Sequence, residues 1–354
     1  MADHVITMKD IAEHFGVSIN TVHKAVAGKP GVSEATRRSI LAYAEKHGYR
    51  RNMEASALRR KNIVVAVCLP ALTTESRFFY GPMWQGCHEF AEEYRGQGIR
   101  VEEYRYEEGR FDQTLEALAQ RAEGDERLDG LVTVPSRSVR SRLLLERIVR
   151  AGARVVFTSG DEPAIEGRYG SVMADFEVAG ALMAEQACNL LPDGGNVLLM
   201  AGDAYKDSHY RVARSFHESI ETGTFAAQMP VRDLFGYHDG DRLASDVRGA
   251  LESGKTDLVC CVFARGSAAL HEALSATGLS GKIPVIASDV FDETIAGMRD
   301  NSFTNLVYKD PRRQAYLAMR MVGDSLLTGI DPEQRIVRSR VSMVFRSTLG
   351  YFEG

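Results

Sequence analysis

Apolar positions recur with helical spacing over the first fifty or so residues and then, from Ile63 onward, in short continuous runs separated by amphipathic stretches. In the first region Ile11, Ala12 and Phe15 fall on one side of a helix that Gly16 ends, with Thr7 and Asp10 at capping-box spacing at its start. Ser18 caps a second helix. Within it Val22 and Val26 face inward with Val17, while Ile19, Asn20, His23, Lys24 and Ala27 form the opposite face. Residues 28–31 make a turn, and Ser33 caps a third helix that runs to about residue 47 and supplies Ile40, Leu41 and Ala44 to a three-helix core. Asn52 can cap one more short helix over residues 53–60, which holds Ala55 and Leu58 among Arg59, Arg60 and Lys61. Alone, a helix that short is marginal, so a plain linker is the competing reading.

The second region alternates predicted strands with predicted helices. Strands are expected at residues 63–69, 101–104, 130–134 and 155–158, with helices at 83–95, 112–122 and 139–151 between them. A similar series follows, with strands at 196–200, 233–236, 258–263 and 285–287 and helices at 179–191, 210–220, 242–253 and 268–277. Residues 293–298, 305–307 and 312–327 and a closing segment at 337–345 come last and are expected to cross back between lobes. This βαβ alternation implies parallel sheets and an α/β fold of two Rossmann-like lobes. The expected organisation is a helix-turn-helix head at 1–50, a hinge helix at 51–61 and a two-lobed core at 62–354. Its N-lobe is expected at about 62–160 and 290–311, and its C-lobe at about 161–289 and 312–354. Such lobes place a ligand outside the carboxyl ends of their strands, where loops from both meet.

Charge sharpens the division. The net charge of −5 is unevenly spread: residues 1–61 carry 11 Lys and Arg against 6 Asp and Glu, whereas residues 62–354 carry 32 against 42. A basic head suits phosphate binding, and an acidic body is repelled by DNA. Five cysteines, at 68, 87, 188, 260 and 261, show no Cys-x-x-Cys spacing and read as buried thiols of a reducing compartment. The sequence has no run of eighteen apolar residues and no apolar signal segment at its start, so the expectation is a cytoplasmic protein with no membrane contact.

Two short helices around a glycine turn, the second presenting an amide and a cation, fit the DNA major groove, although a helical hairpin with a solvated polar face has the same pattern. The segments Lys9-Asp10-Ile11-Ala12, Gly16-Val17-Ser18, Thr21-Val22, residues 32–37 (Val-Ser-Glu-Ala-Thr-Arg) and Gly48-Tyr49 together resemble the lac-repressor (LacI/GalR) family of regulators, and the rest of the chain resembles that family in architecture, with a type I periplasmic-binding-protein-like core. The resemblance puts Ile19, Asn20 and Lys24 at base-reading positions, beside Ser18 and Thr21. His23 stands where a phosphate-contacting Ser is usual, Asn52 begins the hinge helix, and Leu58 matches the leucine that wedges into the minor groove. Arg51 replaces the usual Pro.

Loops after predicted strands carry the candidate effector contacts. Phe79 and Tyr80 follow the first strand, and Ser159 and Asp161 follow the fourth; aromatic faces suit sugar CH faces, and carboxylates suit hydroxyls. Either ring could equally be core. Arg211 enters a helix near where relatives place an effector-binding Arg, but aligning Ser215-Phe216 to the family's Gly-Phe puts that position on Val212. Ile286-Ala287-Ser288-Asp289 resembles the element whose Asp accepts from sugar hydroxyls, and Lys309 replaces a polar uncharged residue of the final loop. Arg211, Arg265 and Lys309 together indicate either an anionic group on the ligand or cations paired with neighbouring carboxylates. Asp175 reads as a helix cap.

An enzyme on a Rossmann-like core is disfavoured because the sequence has no Gly-x-Gly-x-x-Gly after a strand, no Gly-Lys-Ser/Thr phosphate loop, no Gly-x-Ser-x-Gly elbow and no metal cluster. An exported solute receptor would fit the body but not the head. The expectation is a non-enzymatic transcription repressor needing no cofactor, which binds double-stranded operator DNA as a homodimer or tetramer and responds to a sugar-like effector between its lobes.

Overall fold

The computed structural model describes residues 8–26, 31–46, 62–74, 76–136, 138–222, 229–236 and 240–352. The expected hinge helix, with Asn52 and Leu58, lies outside the described residues, as do Thr7 and Ala27. The chain divides into two compact units, one of Met1–Lys61 with Asp324–Asp331 and the other of Asn62–Gly323 with Pro332–Gly354.

The N-terminal unit contains helices α1 (Met8–Phe15), α2 (Ile19–Val26) and α3 (Glu34–Lys46). Ile11, Ala12, Val22, Ala25, Ile40 and Ala44 form its core, with Phe15, Val17, Val26, Val32 and Tyr43 packed around them. Gly16 ends α1 at φ +62°, a left-handed conformation that costs glycine nothing, and the Val17 amide closes back on the Ala12 carbonyl at 3.0 Å.

The core unit contains two six-stranded sheets. Its first elements are β1 (Ile63–Pro70), α4 (Arg77–Glu93), β2 (Ile99–Tyr106), α5 (Phe111–Glu123), β3 (Gly130–Thr133), α6 (Val139–Arg150), β4 (Arg154–Thr158) and β5 (Gly170–Ala174). There follow α7 (Phe176–Leu190), β6 (Val197–Gly202), α8 (Asp207–Thr222), β7 (Val231–Phe235), α9 (Gly240–Glu252), β8 (Leu258–Cys261) and α10 (Ala264–Thr277). The last are β9 (Val285–Ser288), α11 (Asp292–Arg299), β10 (Asn305–Tyr308), α12 (Pro311–Thr328), β11 (Ile336–Ser339) and β12 (Ser342–Val344), before a 3-10 turn at Arg346–Tyr351. The first sheet has the order β11-β5-β4-β3-β1-β2 and the second β12-β10-β9-β8-β6-β7. Every pairing is parallel except that of β10 with β12. β1, β3, β5, β6, β8 and β9 are almost wholly buried, which is why each reads as a continuous apolar run; the edge strand β2 alternates.

The strand pairings correct the expected lobe boundaries. Residues 170–174, expected in the C-lobe, form β5 of the first sheet, where Val172 pairs with Thr158. Residues 305–308, expected in the N-lobe, form β10 of the second sheet. The closing segment is two strands: Val337 pairs with Val172 in the first sheet, whereas Met343 pairs with Val307 in the second. α12, expected with the C-lobe, packs on the first lobe, because Gly86 of α4 leaves no room for a side chain beside the Arg312 carbonyl and Gly323 sits against Phe90. The chain thus passes between lobes at Asp175, at Lys309-Asp310 and at Arg340-Val341. α4 also begins six residues earlier than expected. It runs through Gly81-Pro82, forgoing one backbone donor.

All five cysteines are buried thiols. Burial pushes Cys68 up to about 12 and Cys261 up to about 11. Among the described residues no helix is long and apolar enough to cross a membrane.

Candidate functional site

In the head, Ser18 is the cap the sequence implied: its Oγ accepts from the Thr21 amide at 3.1 Å and lies 2.9 Å from the Thr21 hydroxyl. Ser33 caps α3 in the same way through Thr36. Ile19, 52% exposed, stands at the start of α2 on the face away from Val22 and Ala25, and Lys24 is half-buried. Asn20 and His23 lie on α2, but their side chains are outside what the structure describes. Arg37 of α3 donates from Nη1 to the carbonyls of Lys24 at 3.2 Å and Ala25 at 3.1 Å, so a third-helix cation holds the last turn of the candidate reading helix. Sequence reasoning missed that brace; a cation thirteen residues from its partner carries no local signal.

In the core, six of the eight residues expected to meet an effector line one cavity of about 60 Å³: Phe79, Tyr80, Ser159, Arg265, Asp289 and Lys309. Ser159 and Asp289, each just past a strand end, have φ of +62° and +64°. Asp289 is 1% exposed and Lys309 6%. The Asp289 Oδ1 accepts from the Lys309 amide at 3.2 Å, its Oδ2 lies 3.0 Å from Lys309 Nζ, and Nζ donates to the Val262 carbonyl at 3.2 Å. The pair neutralises itself at the cavity floor, so Lys309 fits the reading of a cation matched to a neighbouring carboxylate.

Asp161 and Arg211 are placed elsewhere. Both line an adjoining outer compartment of about 540 Å³, which shares Tyr80, Ser159, Lys206 and Ser208 with the inner one. Asp161 is held by Arg168 through two hydrogen bonds of 2.7 and 2.8 Å. Arg211 grips Glu177 at 2.8 and 2.7 Å, with Asp207 at 3.3 Å, and its guanidinium lies over the Phe176 ring. That contact holds the Glu177 carboxyl below the usual carboxylate range. Val212, the position the family register assigns to a cation, does line the inner cavity, which is therefore apolar there. Asp175 caps α7, accepting from the Val178 amide at 3.2 Å.

The cavity also gathers residues that sequence reasoning passed over. Phe176, Val212, Val262 and Phe263 extend its apolar wall. His209, 6% exposed in the first turn of α8, accepts the Asp203 amide proton at Nδ1 over 3.1 Å, so the neutral ring carries its proton on Nε2. Gln314, 1% exposed, sits in the first turns of α12, where Pro311 starts the helix and the Asp310 carboxylate accepts from the Arg313 amide at 3.0 Å. The Asp-Pro start was the available signal for Gln314, since it fixes which residues lie one turn in. Among the described residues no group of His, Cys, Asp and Glu is placed to hold a metal ion.

Comparison with known proteins agrees with both halves. Residues 7–52 match the family described as bacterial regulatory proteins, lacI family, and residues 65–329 match the periplasmic binding protein domain. Catabolite control protein A of Priestia megaterium is 26% identical over 235 residues, covering 65% of this chain and 64% of that protein's length. The HTH-type transcriptional regulator DegA of Bacillus subtilis is 25% identical over 302 residues, covering 82% of each. A solute binding protein of an ABC transporter from Burkholderia graminis, solved in complex with D-arabinose, shares the fold with a TM-score of 0.71 at 20% identity, over 81% of this chain and 96% of its own. A helix-turn-helix domain of the lacI family type over residues 7–52 is thus joined to a two-lobed core over residues 65–329 by which the chain belongs to the periplasmic binding protein domain family.

Proposed function

We propose that the protein is a cytoplasmic transcriptional repressor that binds pseudo-palindromic operator DNA as a dimer and whose affinity is set by a sugar or sugar derivative held between the core lobes. The observation that carries this reading is the joining, in one chain, of a capped reading helix with exposed Ile19 to an interlobe cavity combining Phe79, Phe263 and a buried Asp289. Aromatic faces suit sugar CH groups, and the carboxylate suits hydroxyls. The D-arabinose carried by the Burkholderia graminis protein of the same fold supports the ligand class. In this reading Ile19, Asn20 and Lys24 read bases, Ser18, Thr21 and His23 meet the backbone, the hinge begins at Asn52, and Leu58 wedges the minor groove. A ligand that prefers one lobe arrangement shifts the spacing of the two heads.

The test uses the full chain. An operator is selected from a random duplex library, and its binding is measured against salt and against D-arabinose, D-ribose, D-glucose, D-galactose and myo-inositol. Expected are a steep fall of affinity with salt and a change in operator affinity with at least one probe. Absence of any selected sequence would refute the repressor, whereas operator binding indifferent to every probe would refute the sugar. Leu58→Ala is expected to reduce DNA bending while leaving probe binding alone; unchanged bending would remove the wedge.

A further inference from the structure

Asp289 and Gln314, which both line the inner cavity, each carry a buried oxygen that accepts no hydrogen bond. Among the described residues neither Asp289 Oδ2 nor Gln314 Oε1 has a hydrogen-bond partner, and both side chains line the cavity. Lys309 Nζ stands 3.0 Å from Asp289 Oδ2, but without the alignment of a hydrogen bond. Buried polar oxygens in this state are rare in native proteins, and inside a ligand cleft they mark where a ligand's donors belong. The Gln314 amide is oriented by its own bonding: Nε2 donates to the Lys309 carbonyl at 2.6 Å, and since a carbonyl needs a donor, Oε1 is the atom left over.

We propose that Gln314 is an effector-binding residue, and that two donors of one ligand bridge Gln314 Oε1 and Asp289 Oδ2. The proposal rests on the interlobe sugar reading and narrows it. Asp289 follows β9 of the second sheet, whereas Gln314 rides on α12, which packs against α4 of the first lobe. One ligand thereby ties the two lobes together. Because Gln314 Nε2 also holds the Lys309 carbonyl, the bridge reaches the Lys309-Asp310 passage directly. Lys309 Nζ is already engaged by Val262 and Asp289, so both open positions are acceptors. The ligand end that meets them is an uncharged pair of hydroxyls, not a carboxylate or a phosphate.

The test is calorimetric titration of the full chain with the five neutral probes, and with D-gluconate and glucose 6-phosphate, on wild type, Q314M and Q314E. Both substitutions lose the donation to Lys309; only Met loses the acceptor. For the neutral probe that binds, Q314M is expected to weaken affinity at least tenfold, with Q314E within about threefold of wild type. Equal losses would make Gln314 a brace for Lys309 and overturn the proposal, as would wild-type affinity in Q314M. An anionic probe that binds more tightly than every neutral one would overturn the donor-seeking site while leaving an effector cleft in place. If no neutral probe binds wild type, the sugar reading fails and this inference falls with it. Should Q314M not fold, monodeoxy analogues of the bound probe decide on wild-type protein: two adjacent deoxy positions are expected to lose tenfold or more, and uniform tolerance would refute the bridge.

Discussion

Lys309 Nζ lies 3.0 Å from Asp289 Oδ2, with both side chains almost fully buried and the Asp289 Oδ1 also held by the Lys309 amide. Removing one partner of such a pair leaves a buried charge alone. Lys309→Met is therefore expected to destabilise the core by about 3–5 kcal/mol, and the double variant with Asp289→Asn to recover part of that loss. Urea unfolding of the four proteins of this cycle measures it. Additive losses would mean that the two side chains do not interact.

Arg37 and Lys24 should affect DNA binding differently. Arg37 braces the backbone of α2 at Lys24 and Ala25, so Arg37→Ala is expected to weaken binding to all duplexes alike and to lower the stability of the head. Lys24→Ala is expected to relax preference at one base of each half-site by about 1–3 kcal/mol. Anisotropy titrations on single-base operator variants separate the two. Altered base preference in Arg37→Ala would refute the brace.

Arg211 is spoken for by Glu177 and Asp207, outside the inner cavity. Arg211→Ala is expected to leave probe affinity within about threefold, a change of roughly 0.65 kcal/mol or less, while lowering the melting temperature. A tenfold loss of probe affinity would put Arg211 on the ligand after all.

The same contact predicts a pH dependence. Arg211 holds the folded Glu177 carboxyl below its ordinary value of 4.5, and Arg121 does the same to Glu102. A depressed folded value means that the stabilisation is complete above the unfolded value and is lost as pH falls through the folded one. Melting temperature should therefore drop as pH is taken below about 4.5, and drop less steeply in Glu177→Gln. The partly exposed position of Glu177 keeps its share modest. An identical slope in the variant would remove this pair from the acid transition.

Gly86 lets the backbone of α4 lie directly against that of α12. A Cβ there would stand 2.1 Å from the Arg312 carbonyl oxygen, so Gly86→Ala is expected to cost on the order of 1–3 kcal/mol. Chemical denaturation checks this, and unchanged stability would show that α12 has room to shift.

The head was legible because its information is local: Ser18, Gly16 and Ser33 act on their own neighbours, and Val22 and Ile40 keep helical period. The sheets were legible for a similar reason, since doubly buried strands must be apolar throughout. Lobe membership was not. β5 is a five-residue strand after a Gly- and Asp-containing loop, and its partner β11 arrives more than 150 residues later. The cleft was legible wherever a strand end delivered the residue, as with Ser159 and Asp289. It was illegible where a polar side chain in a first helical turn, such as His209 or Gln314, looks like any solvated one. Arg211 shows the converse, because its pairing with Glu177, 34 residues earlier, exists only in three dimensions.

The pairing of β11 with β5 also bears on the order in which the protein can mature during synthesis. Until residues 336–339 have left the ribosome, the N-lobe sheet has β5 as an open, apolar edge, a template for strand addition by other chains. Ribosome-bound intermediates stalled between β5 and β11 should therefore be rich in chaperone contacts, and those contacts should fall away once β11 emerges.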